Sequence, residues 1–192
     1  MFYLFDNINN YDNYDDMYNI LNSMDKDKVD NYTNIRDKKL CMLSRKILRD
    51  ILKDRYSINY NELDIKYNEY GKPYIRDIYF NISHSNDYVL VAISKRQIGV
   101  DIEKIRNVDE TLINYICTDK EKNYVLGSDD INKSLFIIFC LKEAYYKMIG
   151  TGIANLKDIE FDINNISLNN NFNIILDNSI DGYVIAIMEE KD

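Results

Sequence analysis

Seven consecutive apolar residues, Leu135 to Leu141, run straight into Lys142 and Glu143. They lie in a stretch of helical character over roughly 133–148, which stops near Gly150 and Gly152. A helix that is apolar on all sides is buried, not laid on a surface. The rest of the chain must therefore wrap around this segment. The charged pair at its end must find partners, because an uncompensated buried charge is costly. The run is far too short to span a bilayer.

Around that helix the patterning is mixed α and β. A length of 192 residues fits one large domain or two small ones packed together, and 46% hydrophobic residues are enough to build a core. Leu40, Leu43, Ile47, Ile51 and Leu52 recur at helical spacing and predict a helix over 37–55. Tyr70-Gly71-Lys72-Pro73 reads as a turn. Short apolar, β-branched runs predict strands at Ile78–Ile82, Tyr88–Ile93 and Ile98–Glu103, and later at Ile159–Ile163, Phe172–Leu176 and Tyr183–Met188. A further helix is expected over 109–126, and residues 6–19 read as a loosely structured polar surface stretch. Tyr88-Val-Leu-Val-Ala-Ile93 resembles Tyr183-Val-Ile-Ala-Ile187, each closing a half with a helix and several strands. This points to two related α+β halves, 1–97 and 98–192, with a chance match of two strands as the alternative.

Charge and composition exclude several function classes. The net charge is −8, so the chain as a whole is not built for nucleic acid. Between Arg36 and Arg55, however, eight Lys or Arg stand against three Asp, a local +5 that suits an anionic ligand or an acidic partner. Three scattered cysteines offer neither a disulfide framework nor a zinc pattern, and one histidine, His84, excludes multi-His metal sites. The first residues lack a basic, apolar leader, so a cytoplasmic location is expected, with no membrane partner.

Three constellations carry candidate chemistry. In Gly99-Val-Asp101-Ile-Glu103 the two acids lie two residues apart, on one face of a strand. They repel one another unless a cation sits between them, and a hard divalent ion with oxygen ligands answers that need. The alternative is an exposed acidic strand face. In Lys142-Glu143-Ala-Tyr-Tyr-Lys147, Glu143 and Lys147 are four apart and either pair with each other or serve as metal ligand and phosphate contact, with Lys142 also on phosphate. Phe80-Asn-Ile-Ser83-His84-Ser85 reads as a polar turn after a strand, presenting hydroxyls and an imidazole to an anion or to the local backbone.

Gly71-Lys72-Pro73, Phe80–Ser85, Ile98–Glu103 and Lys142–Lys147, in that order and spacing, resemble the 4'-phosphopantetheinyl transferase superfamily, in its two-repeat, surfactin-synthetase-activating branch. The resemblance implies an α+β pseudo-dimer, each half a small antiparallel sheet with a long helix, and an active site in the cleft between halves. It implies transfer of the phosphopantetheine arm of coenzyme A to a serine of an apo acyl or peptidyl carrier protein, releasing 3',5'-ADP, by a monomer. Asp101, Glu103 and Glu143 match the family's Mg²⁺ carboxylates, with Mn²⁺ as the other candidate ion. Glu121 matches a glutamate proposed as general base, and Glu143 and Lys147 join it in the catalytic set. Ser83 and His84 match residues near the 3'-phosphate of coenzyme A, and Lys72, Lys142 and Lys147 match phosphate-contacting lysines. The family's arginine near the start of the first long helix falls near Lys39 or Leu40, with Lys39 or Arg36 to take its place, and Phe139 stands where the family has Trp. The competing readings are a Mg²⁺-dependent phosphohydrolase and a non-catalytic paralogue that binds coenzyme A or a carrier protein.

Overall fold

The computed structural model describes residues 1–63, 65–75, 77–152, 155–168 and 171–191. Strand β1 (Phe2–Asn7) leads through α1 (Asp15–Asn19) and α2 (Ser23–Asn31) to the long helix α3 (Ile35–Tyr56). Strands β2 (Lys66–Tyr67), β3 (Pro73–Ile75), β4 (Ile78–Ser85) and β5 (Tyr88–Ser94) complete an antiparallel sheet of order β1-β5-β4-β3-β2. Next come β6 (Ile98–Lys104), α4 (Glu110–Ile116), α5 (Asp119–Leu126), α6 (Ile131–Ile149), β7 (Phe172–Asp177) and β8 (Tyr183–Glu190). These three strands form a second antiparallel sheet of order β6-β8-β7.

One topology is thus used twice. Strand, long helix and hairpin (β1, α3, β4-β5) give the order β1-β5-β4, and β6, α6, β7-β8 give β6-β8-β7. The two similar apolar runs fall on β5 and β8, the strands flanked by the other two in each set. The fold is an α+β pseudo-dimer.

Alternation along the strands produces four layers. Val89, Val91 and Ile93 of β5 turn to α3, where Leu43, Leu48 and Leu52 are fully buried. Leu90 and Ala92 turn the other way and meet Ile98, Val100, Ile102, Ile185 and Ile187 of the second sheet. Val184, Ala186 and Met188 of β8 then face α6. Period-two strands buried on both sides need apolar residues at every position, which is why β5 and β8 read as continuous apolar runs. Each such side chain contributes about 1.5–3 kcal/mol when fully buried. Among the described residues no helix is long and apolar enough to cross a membrane.

Four expectations are corrected. Residues 6–19 are ordered by their own polar side chains: Tyr11 and Asn10 donate to Asp6, while Ile8 and Met17 are buried against α3. The helix expected over 109–126 is two helices, because Thr118 caps α5 and Glu121 closes a reciprocal capping box, which restarts the backbone there. Ser83-His84-Ser85 lies inside β4, not in a turn after it, paired with Leu90, Val89 and Tyr88. Ile159–Ile163 is no strand: Phe161 and Ile163 owe their apolar character to the α6 core, and only Asp162 makes a bridge, to Ser167.

Gly99 sets the distance between β6 and α6. A Cβ placed there would lie 2.0 Å from the Ala144 carbonyl oxygen and 2.3 Å from the Met148 nitrogen. These are backbone atoms that no side-chain rotation moves, so helix and strand touch only because this position has no side chain. Gly99→Ala should therefore cost about 3 kcal/mol or more, the upper end of overpacking effects. Urea unfolding checks this, and a Gly99→Ala protein of unchanged stability would show that the helix is not seated on Gly99.

Candidate active site

The site grows from the edge of β6. Its outward-facing N–H groups have no strand partner, and β4 supplies side chains instead. Val100 N–H donates to Asn81 Oδ1 at 2.9 Å, Ile102 N–H to Ser83 Oγ at 3.4 Å and Lys104 N–H to Ser85 Oγ at 3.0 Å. The same hydroxyls donate onward, Ser83 to Asp101 Oδ1 and Ser85 to Glu103 Oε2, each at 2.9 Å. From α6, Lys147 Nζ donates to Asp101 Oδ1 at 2.6 Å and to Ser83 Oγ at 3.0 Å.

Three carboxylates crowd this seam. Asp101 is 3% exposed, and its Oδ2 is buried with no hydrogen-bond partner among the described residues. Burial and the Asp101 charge push the Glu143 carboxyl up to about 7, and the same two causes raise Glu103. Acids that destabilise each other's charge, beside an orphaned buried oxygen, fit a divalent cation held by oxygen. Among the described residues no three acidic, His or Cys side chains are already gathered as a metal cluster. The Lys147 ammonium is bonded to Asp101 Oδ1, while Glu103 accepts from Ser85 and has Arg106 at 3.6 Å.

Two cavities flank β4. One, of about 220 Å³, is lined by Lys72, Pro73, Asn81, Glu143, Tyr146 and Lys147 among others. The other, of about 470 Å³, is lined by Lys28, Asp37, Arg45, Pro73, Asn81 and His84 among others. Pro73 and Asn81 line both, so the two cavities adjoin one another at β3 and β4. His84 opens on the side facing α3, opposite Ser83, as strand alternation requires. Partial desolvation and the Lys147 charge hold its imidazole below the ordinary value. Arg45 is fixed by Asp25, whose Oδ1 accepts from Arg45 Nε at 2.8 Å and whose Oδ2 accepts from Tyr60 at 2.7 Å.

The structure brings Asp101, Lys147 and Ser83 into direct contact, with Glu103 bonded to Ser85 beside them, Glu143 lining the cavity next to Lys147 and His84 lining the adjoining one. It does not bring in Glu121, Lys142 or Lys39. Lys142 is 0% exposed and spends its three N–H bonds on Ile116 O, Leu156 O and Glu121 Oε2. Glu121 Oε2 also accepts from Thr118 N–H, and Oε1 from Phe161 N–H. Neither residue lines either cavity, so the expectations of a phosphate contact and a general base are corrected to a sealed ion pair. Lys39 lies over the Tyr14 ring at 4.7 Å and Arg36 pairs with Asp87, both away from the cavity lining. Lys72 lines the cavity, and its ammonium donates to Gln97 Oε1, Ile98 O and Met148 O. Lys28 and Arg45 were not among the expected site residues. Arg45 stands in the basic 36–55 stretch, whereas Lys28 rides on α2, a helix whose polar sequence carries no strong periodic signal.

Comparison with known proteins identifies the family. Residues 97–187 match the 4'-phosphopantetheinyl transferase superfamily and residues 9–96 match the N-terminal region of 4'-phosphopantetheinyl transferases. The chain belongs to this superfamily. It is 32% identical over 144 residues to 4'-phosphopantetheinyl transferase gsp of Aneurinibacillus migulanus, across 71% of this chain and 61% of that one. It is 30% identical over 164 residues to the L-aminoadipate-semialdehyde dehydrogenase-phosphopantetheinyl transferase of Xenopus laevis, across 75% and 54%. With 4'-phosphopantetheinyl transferase Sfp of Bacillus subtilis (strain 168) the identity is 25% over 134 residues, across 67% and 60%. The matched region spans between half and two thirds of these relatives' own length.

The sealed pair generates a stability prediction. Lys142→Met leaves the Glu121 charge buried without its cation, which costs about 3–5 kcal/mol. Adding Glu121→Gln removes that stranded charge, so the double variant should recover part of the loss. Chemical denaturation of the four proteins checks this; strictly additive losses would show that the two residues do not depend on each other.

Proposed function

We propose that the protein transfers the 4'-phosphopantetheine arm of coenzyme A to a serine hydroxyl of an apo acyl or peptidyl carrier protein, releasing 3',5'-ADP. The observation that carries this reading is Asp101, held by Lys147 and with its buried Oδ2 unpartnered among the described residues, behind a cavity that Glu143 and Lys147 line and that adjoins one lined by Lys28 and Arg45. Cations at one end suit the nucleotide phosphates, and acids at the other suit a metal-bound pyrophosphate. The half formed by residues 1–97 then supplies the nucleotide wall, and the half formed by 98–192 supplies the carboxylates. One chain contains both, so a monomer suffices.

In the reaction the serine oxygen bonds to the β-phosphorus of coenzyme A, and the bond from that phosphorus to the bridging oxygen of the leaving 3',5'-ADP breaks. Such transfers ask a protein chiefly for positioning and charge stabilisation. Asp101, Glu103 and Glu143 would hold Mg²⁺, which neutralises pyrophosphate charge when bound. Ser83 and Ser85 fix the rotamers of Asp101 and Glu103 through the hydrogen bonds described above. Lys147, on the same helix face as Glu143, releases Asp101 Oδ1 and turns its ammonium to the leaving phosphate oxygens. Glu121 is sealed, so the serine proton goes to a carboxylate facing the cleft. Glu143 lines that cleft and would take the proton on the Oε atom it does not give to the metal.

The test is intact-mass analysis of apo carrier proteins of the fatty-acid, polyketide and peptide-synthetase types, incubated with this protein, coenzyme A and Mg²⁺. The expected result is a mass gain of one phosphopantetheine arm on at least one carrier. It should be abolished by EDTA and slowed roughly 100-fold or more by Asp101→Ala, the scale seen when a transition-state charge partner is removed. No gain on any carrier type sinks the reading.

A further inference from the structure

We propose that Lys72 is a positioning residue: with Asn68 it caps the C-terminal end of α6 from the other half of the chain, and so sets where Glu143 and Lys147 stand in the cleft. This deepens the transferase reading and rests on it. The last four carbonyls of a helix have no partner within the helix, and its C-terminal end carries a partial negative charge that a cation stabilises.

Helix α6 answers these needs only in part by itself. Gly150, at φ +70°, returns its N–H to Tyr146 O at 2.9 Å. Two further carbonyls are met from outside: Met148 O accepts from Lys72 Nζ at 2.6 Å, and Gly150 O accepts from Asn68 Nδ2 at 2.9 Å. The Lys72 ammonium also donates to Ile98 O at 3.1 Å and Gln97 Oε1 at 3.0 Å. One side chain therefore ties the end of α6 to the first residue of β6. That residue precedes Gly99, where helix and strand touch. Lys147 immediately precedes Met148, and Glu143 lies one turn further back on the same face.

The donor turn is itself prebuilt. Asn68 Oδ1 accepts from Tyr70 N–H at 3.0 Å and Lys72 N–H at 2.8 Å, and Gly71 at φ +82° closes the loop. The three acceptors of Lys72 are two backbone carbonyls and one amide, none of them charged. An ammonium whose three N–H bonds end on neutral oxygens inside the protein has no donor left for a ligand phosphate. Burial pushes it down to about 8, the direction expected where no carboxylate offsets desolvation.

The experiment compares wild type with Lys72→Met and Asn68→Ala in three readouts: hydrogen exchange of the 146–150 amides without substrate, the dissociation constant for coenzyme A, and kcat for transfer to a carrier protein. Both variants should speed exchange at the end of α6 about tenfold and lower kcat about 10- to 100-fold, as loss of supporting contacts does. Coenzyme A affinity should stay within about twofold of wild type. Weaker coenzyme A binding by Lys72→Met with unchanged exchange would make Lys72 a ligand contact and overturn the proposal, as would three unchanged readouts. If Lys72→Met does not fold, Asn68→Ala carries the test, since it removes one cap and keeps the ammonium. Faster exchange in a protein whose wild type transfers nothing would keep the cap and discard the transferase reading.

Discussion

The edge of β6 is the point on which the site depends. An open sheet edge exposes N–H groups that natural proteins cover in one way or another. Here the cover is a row of short polar side chains, Asn81, Ser83 and Ser85, each meeting an N–H nineteen residues later. A hydroxyl that accepts from an edge amide still has a proton to give, and Ser83 and Ser85 give theirs to Asp101 and Glu103. Sealing the seam between the sheets and orienting the acids are therefore the work of one set of bonds. Asp101 Oδ1 is saturated by Ser83 and Lys147, and the other oxygen of the same carboxylate has no hydrogen-bond partner among the described residues.

Three lysines surround this seam, and their acceptors assign them different work. Lys142 faces a carboxylate and two carbonyls at zero exposure, which makes a sealed structural pair. Lys72 faces neutral oxygens and joins two backbone segments. Lys147 faces Asp101 with its side chain 30% exposed at the cavity wall. Only the last is both charged-paired and open to a ligand, so only it can exchange a protein partner for a phosphate. Residue type and spacing treat Lys142 and Lys147 alike, because five residues along a helix do not reveal which side carries the cleft.

The sequence is most legible where one rule acts alone. Helix α3 follows from its apolar stripe, and β5 and β8 follow from apolar runs that burial on both faces demands. The Asp101 and Glu103 pair follows from strand alternation. Legibility fails where two rules compete. Thr118-x-x-Glu121 is a capping-box pattern, and reading it as such would have broken the 109–126 helix and placed Glu121 in the helix start in one step. Ser83-His84-Ser85 has turn composition, yet its hydroxyls serve a neighbouring edge, and that partner lies too far along the chain for local propensity to register. The polar 6–19 stretch is ordered by Asp6 with tyrosine and asparagine, contacts that composition describes only as surface.

The repeated topology explains why the two adjoining cavities differ in chemistry. Helices α3 and α6 occupy equivalent places on opposite outer faces, and β4 stands between the cavities that each helps to line. From α3 one cavity receives Arg45, braced by buried Asp25, and from α6 the other receives Glu143 and Lys147. If both halves offered cations, a polyanion would bind with nothing to hold a metal; if both offered acids, it would be repelled. One fold used twice with different side chains avoids both outcomes. The asymmetry has to be set by backbone contact, not by charge, because the acids repel each other. Gly99 under α6 provides that contact, holding the helix that bears Glu143 against the strand that bears Asp101 at a spacing no other residue permits.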